Sequence, residues 1–295
     1  MNGLERSCGG HHLRGMNRRD TTSDAACATR ADGDLELLPA ALRIAADEYP
    51  DLDVAATEAE IRKLARGLAN RVDARAPVEE KLAALNRYLF EEQGFSGNHD
   101  DFYDPRNSYL NEVMARRLGI PVSLAVLQIE CARALDLPLQ GVSFPGHFLV
   151  RLPMDDGILV LDPYHRGRPV GIDELRLRVR SQGSEEDVDD RQLLHLLAPA
   201  SNRTIVGRML RNLKAIYTSR EEWDKALRCT SRLVELGAGG IEDLRDRGLL
   251  YLRLGYAPRA AEDLSRYLQR APLAEDAAAV REALIEASRC KVRLQ

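Results

Sequence analysis

Cysteine is scarce in this chain of 295 residues: there are five, Cys8, Cys27, Cys131, Cys229 and Cys290, odd in number and far apart. No Cys-x-x-Cys pair occurs. Both facts argue against a disulfide scaffold and a thiolate zinc site, and they predict a reducing compartment, the cytoplasm. Long apolar runs are missing too. None approaches the roughly 18 residues that span a bilayer, so no membrane partner is expected. Residues 1–34 contain no apolar h-region, which argues against a secretory signal. Neither sign of charge dominates: 42 Lys and Arg stand against 46 Asp and Glu, a formal net charge of −4. That balance disfavours a broad nucleic-acid surface, and no nucleic-acid partner is expected. What remains is 44% apolar and 30% charged, enough to bury a sizeable core in one large or two modest domains.

Residues 1–34 are rich in Gly, Arg, Ser, Thr and Asp without apolar periodicity, and they read as a disordered leader. Met16 is an alternative start, and His11 and His12 are more simply solvated than metal-bound. Residues 35–93 are helical in pattern. Ile61, Leu64, Leu68 and Val72 form one stripe, with Thr57 and Glu60 spaced as a capping box. Pro77 precedes a second helix whose apolar face is Leu82, Leu85, Leu89 and Phe90. Residues 94–106 form a polar loop expected to fold Phe95, Phe102 and Tyr103 against the core. Helices follow over 108–118, with Gly119 as C-cap, and 123–135. Strands are expected over 142–144, 147–152 and 158–161. Helices followed by strands, rather than strict alternation, predict an α+β domain.

The tail repeats with a period of 34 residues. Leu210/Leu244, Tyr217/Tyr251, Ala226/Ala260, Ser231/Ser265 and Arg232/Arg266 are identities at that spacing. The period and the Leu…Tyr…Ala pattern resemble the tetratricopeptide repeat, a helical hairpin in which small residues permit close helix approach. Gly248 holds the small position in the second unit, and Lys214 stands there in the first. The tail is therefore expected to bury Tyr217, Ala226, Tyr251 and Ala260 and to bind a protein or peptide partner.

One pair of residues has the chemistry of a site. His147 begins one strand and Asp162 ends the next, and period-two alternation puts His147, Leu149 and Arg151 on one face. Pairing residue i with 309 − i sets His147 opposite Asp162; a two-residue turn at Asp156-Gly157 shifts the pairing by four. A carboxylate beside an imidazole orients it and stabilises its protonated form, as base and orienter of a nucleophile–base–orienter triad. The same pair also serves as a purely structural contact. Ser123, near a helix start, reads as a cap or as a nucleophile. Cys131 reads as a buried apolar residue. His165 with His147, and His99 with Asp100 and Asp101, are the metal-donor types nearest the pair; neither a metal nor a cofactor is expected. Arg116 and Arg117 read as salt-bridge partners of Glu112 or Asp104, or as an anion site.

Four blocks together resemble the SirB family, bacterial proteins with a transglutaminase-like domain followed by tetratricopeptide repeats. They are Arg106-Asn107-Ser108-Tyr109-Leu110-Asn111, then Arg116 to Leu124, then Pro145-Gly146-His147-Phe148-Leu149-Val150-Arg151, then Leu161-Asp162-Pro163. The resemblance implies a papain-like helix-plus-antiparallel-sheet core over 35–198 and an all-α tail over 199–295. The wider superfamily uses a Cys, His and Asp triad, its Cys in a Gly-x-Cys run with a small residue four positions on. Here that run is Gly119-Ile120-Pro121, with Ala125 as the small residue. Pro121 has no thiol, while His147 and Asp162 match the other two members. The implied activity is thus a protein-binding scaffold with an incomplete triad, or alternatively a hydrolase or acyl-transferase with Ser123 as nucleophile.

Overall fold

The computed structural model describes residues 35–182 and 188–292. The leader, with Cys8, His11, His12, Met16 and Cys27, lies outside the described residues, as does the side chain of Cys290. Helices α1 (Leu37–Glu48), α2 (Val54–Ala69) and α3 (Val78–Asn86) form the first layer. α2 starts a turn earlier than the Thr57 box implied: Asp53 caps it, accepting from the Ala56 amide at 2.9 Å, and Thr57 is buried with its hydroxyl donated to the Asp53 carbonyl. α3 runs on into a π-helical turn, Arg87–Glu92, which buries Tyr88, Leu89 and Phe90.

The loop that follows buries Phe95, as expected, but leaves Phe102 and Tyr103 exposed. They stack on each other, and Phe102 leans on the Tyr164 ring instead of entering the core. A short parallel bridge joins β1 (Ser96–Gly97) to β2 (Leu118–Gly119). Between them come a 3-10 turn, Pro105–Asn107, and α4 (Leu110–Arg116). Gly119 is therefore a bridge residue rather than a helix cap; Arg117 ends α4 in the left-handed region at φ 62° and lays its guanidinium on the Phe95 ring. α5 (Pro121–Arg133) is buried along nearly its whole length. Cys131 lies inside it, fully buried, its thiol pushed up to about 12 by burial.

A four-stranded antiparallel sheet comes next, in the order β3 (Gln140–Val142), β4 (Leu149–Met154), β5 (Gly157–Asp162), β6 (Arg168–Pro169). β3 ends at Val142, two residues before the expected limit, and His147 sits in the turn ahead of β4 rather than in the strand. β4 and β5 pair Val150 with Leu161 and Met154 with Gly157, midway between the two registers considered. The turn is Asp155-Asp156. The sheet separates two apolar clusters: Val150, Leu152 and Leu161 face the helices, whereas Leu149 and Val160 face α6 (Ile172–Arg180) and α7 (Asp190–Leu196) through Leu175, Val179 and Leu193. These helices and this antiparallel sheet make an α+β domain.

The tail is all helix: α8 (Asn202–Ser219) with α9 (Trp223–Leu236), α10 (Glu242–Arg253) with α11 (Ala257–Arg270), and α12 (Ala277–Val292) closing on α11. Tyr217, Ala226 and Ala260 are buried, but Tyr251 is only half-buried. The difference has a cause. Tyr217 is covered by Tyr109, whose hydroxyl lies 2.6 Å from its own, whereas the ring neighbours of Tyr251 are Tyr256, edge-on, and the Arg247 and Arg259 guanidiniums. A Cβ on Gly248 would stand 2.7 Å from Leu264, which explains the small residue. At the matching position Lys214 reaches across to Asp246 at 2.8 Å. The tail is also tied to α1 by Lys225 and Arg228 on Glu48 and by Arg232 on Asp47. A single apolar cluster runs from Leu35 to Leu250, through both parts.

Candidate functional site

Asp162 is the centre of the site, and its position follows from strand parity. As the last residue of β5 it projects to the α6 side, the side of Leu149 and Val160. Beyond it the chain turns sharply through Pro163–His165, then through Arg166 and Gly167, both in the left-handed region at φ 58° and 69°. Asn86 holds that turn, donating to the Gly167 carbonyl at 3.0 Å and accepting from Gln128 at 2.7 Å. α5 packs against the Pro163–His165 turn.

The Asp162 carboxylate is fully buried and fully used. His147 Nε2 lies 2.9 Å from Oδ1. His165 Nδ1 lies 2.8 Å from Oδ2, and the Arg178 guanidinium donates to Oδ2 at 2.7 Å. The amide of Tyr164 adds 3.1 Å to Oδ1. Burial alone would raise this carboxyl; the bonds from His147, Arg178 and His165 outweigh it and hold the group well below the usual carboxylate range. Arg178 comes from α6, one turn after Glu174, whose carboxylate it also holds at 2.6 Å. Arg168 on β6 completes the pair, and its hydrogen bonds bring Glu174 down to about 2.

His147 reaches Asp162 without strand pairing. Gly146 takes φ 67°, and the His147 amide donates to the Phe144 carbonyl at 3.1 Å, so the tight turn delivers the ring to the end of β5. Around the pair stand groups that the sequence did not bring together. The Tyr164 ring is 4.6 Å from that of His99 and 6.1 Å from that of His147. His99 and His165 are 5.8 Å apart. No spacing signal marks Arg178 or Tyr164 for this cluster.

Ser123 lies elsewhere in the design. It is fully buried at the third position of α5, where its hydroxyl donates to the Asn107 carbonyl at 2.6 Å and accepts from the Ile120 amide at 3.0 Å. Ile120, not Ser123, is the cap residue. Pro121 opens the helix, the position where a proline needs no amide partner. Asn107 is itself a buried hub: its side chain accepts from Asn98 at 3.0 Å and donates to the Asp101 carbonyl at 2.7 Å. Tyr164 closes the network by donating to the Asn98 carbonyl at 2.8 Å. The Asn107-Ser108-Tyr109-Leu110-Asn111 block is thus a packing device, with Tyr109 on the tail and Leu110 in the core. Arg116 forms an ion pair with Asp104 at 3.3 Å.

Gly97 lies where this network is tightest. A Cβ there would sit 2.5 Å from the Tyr164 ring. Gly97→Ala is expected to cost roughly 1–3 kcal/mol through overpacking, read as a lower urea midpoint. An unchanged midpoint would mean that the ring can move aside.

Comparison with known proteins agrees with this architecture. The model of the transglutaminase-like superfamily matches residues 55–211, and that of the tetratricopeptide repeat matches 213–285. The chain is 51% identical over 266 residues to a UPF0162 protein of Xylella fastidiosa (strain 9a5c), covering 90% of this chain and 95% of the relative. It is 37% identical to a UPF0162 protein of Pseudomonas aeruginosa over 79% of this chain and 83% of the relative. Identity to the UPF0162 protein YchA of Escherichia coli (strain K12) is 26%, over 76% and 81%.

Proposed function

The chain belongs to the UPF0162, SirB-type family of transglutaminase-like proteins with tetratricopeptide repeats, and from that premise we propose that it is a protein-binding scaffold of the reducing cytoplasm rather than a thiol acyl-transferase. The observation that carries the proposal is an Asp162 carboxylate shared among His147, His165 and Arg178; beside it, Pro121 at the start of α5 stands where the resemblance would put the superfamily's thiol. A triad needs a thiolate beside its imidazole, and a proline provides neither thiol nor amide. Ser123 is no substitute in this reading, because its hydroxyl is buried and donated to a backbone carbonyl. Cys131 and Cys229 are buried, and burial pushes both thiols up to about 12, far from a reactive thiolate.

Binding is assigned to the tail. A groove of about 820 Å³ runs between α9 and the α10–α11 hairpin, lined by Leu227, Ser231, Tyr251, Tyr256, Pro258 and Arg259. Stacked helical hairpins characteristically present such surfaces to protein partners. The half-buried Tyr251 is part of this lining rather than of the core.

Two measurements test the proposal. Fluorophosphonate and iodoacetamide probes are expected to leave the folded protein unlabelled at Ser123, Cys131 and Cys229. A photo-crosslinking residue at Tyr256 is expected to capture a protein from cell extract that one at Leu273, 96% exposed and outside the groove, does not. Labelling of Ser123 that depends on His147 would overturn the scaffold reading in favour of an acyl-enzyme.

A further inference from the structure

The ligand atoms of His147, Asp162 and His165 all lie within 4.8 Å of one another. Two imidazoles and one carboxylate converging in this way are the donor set of a divalent first-row metal, and imidazole nitrogen suits zinc in particular. We propose that His147 Nε2, His165 Nδ1 and the Asp162 carboxylate form a zinc-class metal site whose remaining face is turned toward His99.

The geometry supports ligation with small movements. Zinc holds nitrogen at about 2.0–2.1 Å and carboxylate oxygen at about 2.0–2.2 Å. Tetrahedral donors at those lengths stand a little over 3 Å apart, by ordinary trigonometry on the same distances. The present contacts of 2.9 and 2.8 Å open by about half an ångström, and the two imidazole nitrogens, which now sit on different carboxylate oxygens within 4.8 Å of each other, close to the same separation. Each imidazole must present a lone pair at the nitrogen that now faces Asp162. A neutral ring does so by carrying its single proton on the other nitrogen, so no proton need be lost. His165 is half-exposed and His147 is partly exposed, which leaves the metal an entry path.

Charge has to be redistributed for a dication to bind. A dication entering beside Asp162 displaces the attraction that Arg178 now supplies. Arg178 keeps its second partner, Glu174 at 2.6 Å, and Glu174 keeps Arg168. Two guanidiniums already offset these two carboxylates, so a dication at Asp162 requires Arg178 to turn wholly to Glu174. A third imidazole is near, since the His99 ring stands 5.8 Å from that of His165. A water or a carboxylate from a partner also fits the open position.

This inference rests on the scaffold reading only in that His147 is not serving a thiolate, and zinc retention is measured separately from probe labelling, so either fails alone. The full chain is stripped with a chelator, then titrated with zinc against a chromophoric competitor. One equivalent is expected to bind, with a rise in melting temperature. His165→Gln keeps a donor toward Asp162 but removes the imidazole. It is expected to weaken zinc by tenfold or more, since even outer-shell changes cost roughly 10- to 100-fold, while the metal-free melting temperature stays close to wild type. His147→Ala is expected to do the same to zinc. A variant lacking His11 and His12 is expected to retain the site. Cobalt in place of zinc is expected to give visible bands that His165→Gln abolishes. Zinc affinity unmoved by His165→Gln and His147→Ala, or lost only with His11 and His12, overturns the proposal.

Discussion

Asp162→Ala is expected to lower folding stability by about 3–5 kcal/mol, the usual cost of removing one partner from a buried ion pair. The carboxylate has no exposed surface, and its loss leaves the Arg178 guanidinium, whose Nη1 already lacks a protein partner, with Glu174 alone and both imidazoles without their acceptor. Urea unfolding measures the loss directly. Asp162→Asn keeps the shape and can still accept from the Tyr164 amide, so it is expected to fall between alanine and wild type. A value under about 1 kcal/mol for alanine would show that the cluster behaves like a surface ion pair.

The same carboxylate sets the acid limb of stability. Its folded-state affinity for protons is lower than its unfolded one, so the unfolded chain takes up the proton first. The stabilisation is complete above the ordinary aspartate value of about 3.9 and is lost progressively as the pH falls below it. Glu174, held near 2 chiefly by the hydrogen bonds from Arg168, acts in the same direction. Asp162→Asn is expected to flatten the decline of stability between about pH 5 and pH 2 relative to wild type. A parallel decline would place the acid sensitivity elsewhere.

Much of this site is legible in the sequence because strand parity survives register errors. A shift of the β4–β5 pairing by two leaves Leu149 and Asp162 on one side, and His147, although outside the strand, still meets Asp162 at 2.9 Å with neither expected register being the observed one. Gly146 and the Phe144 turn bring His147 across the remaining distance, and turn geometry of that kind has no periodic signature. Arg178 lies 16 residues beyond Asp162 on a helix whose docking depends on the apolar contacts of Leu175 and Val179. His99 arrives on a loop held by Asn107. Both approaches are tertiary, so no local pattern encodes them. The tail shows the same division. The 34-residue period locates the helices, but the burial of Tyr217 depends on Tyr109, more than 100 positions upstream.

That contact leads to the second large effect. Tyr217→Ala is expected to cost roughly 3–5 kcal/mol, the range for truncating a buried aromatic, and to do so in one cooperative unfolding step that takes the sheet with the tail. Tyr217 is 1% exposed, packs among Ile44-side and α9 residues, and carries Lys225 over its ring at 5.1 Å. Burial raises the Tyr109 hydroxyl far above its ordinary value, and burial raises that of Tyr217 too, so the 2.6 Å contact is between two neutral hydroxyls. Tyr217→Phe leaves the Tyr109 hydroxyl without that partner, at about 1–3 kcal/mol, and keeps the packing. The continuity of the apolar cluster from Leu35 to Leu250 is the reason to expect one transition. Far-ultraviolet circular dichroism and the fluorescence of Trp223, which sits in the tail under Arg253, should then report the same midpoint for wild type and for each variant. Separate midpoints would mean that the tail unfolds by itself, and that the groove proposed to bind a partner can be lost while the His147–Asp162 cluster stays intact.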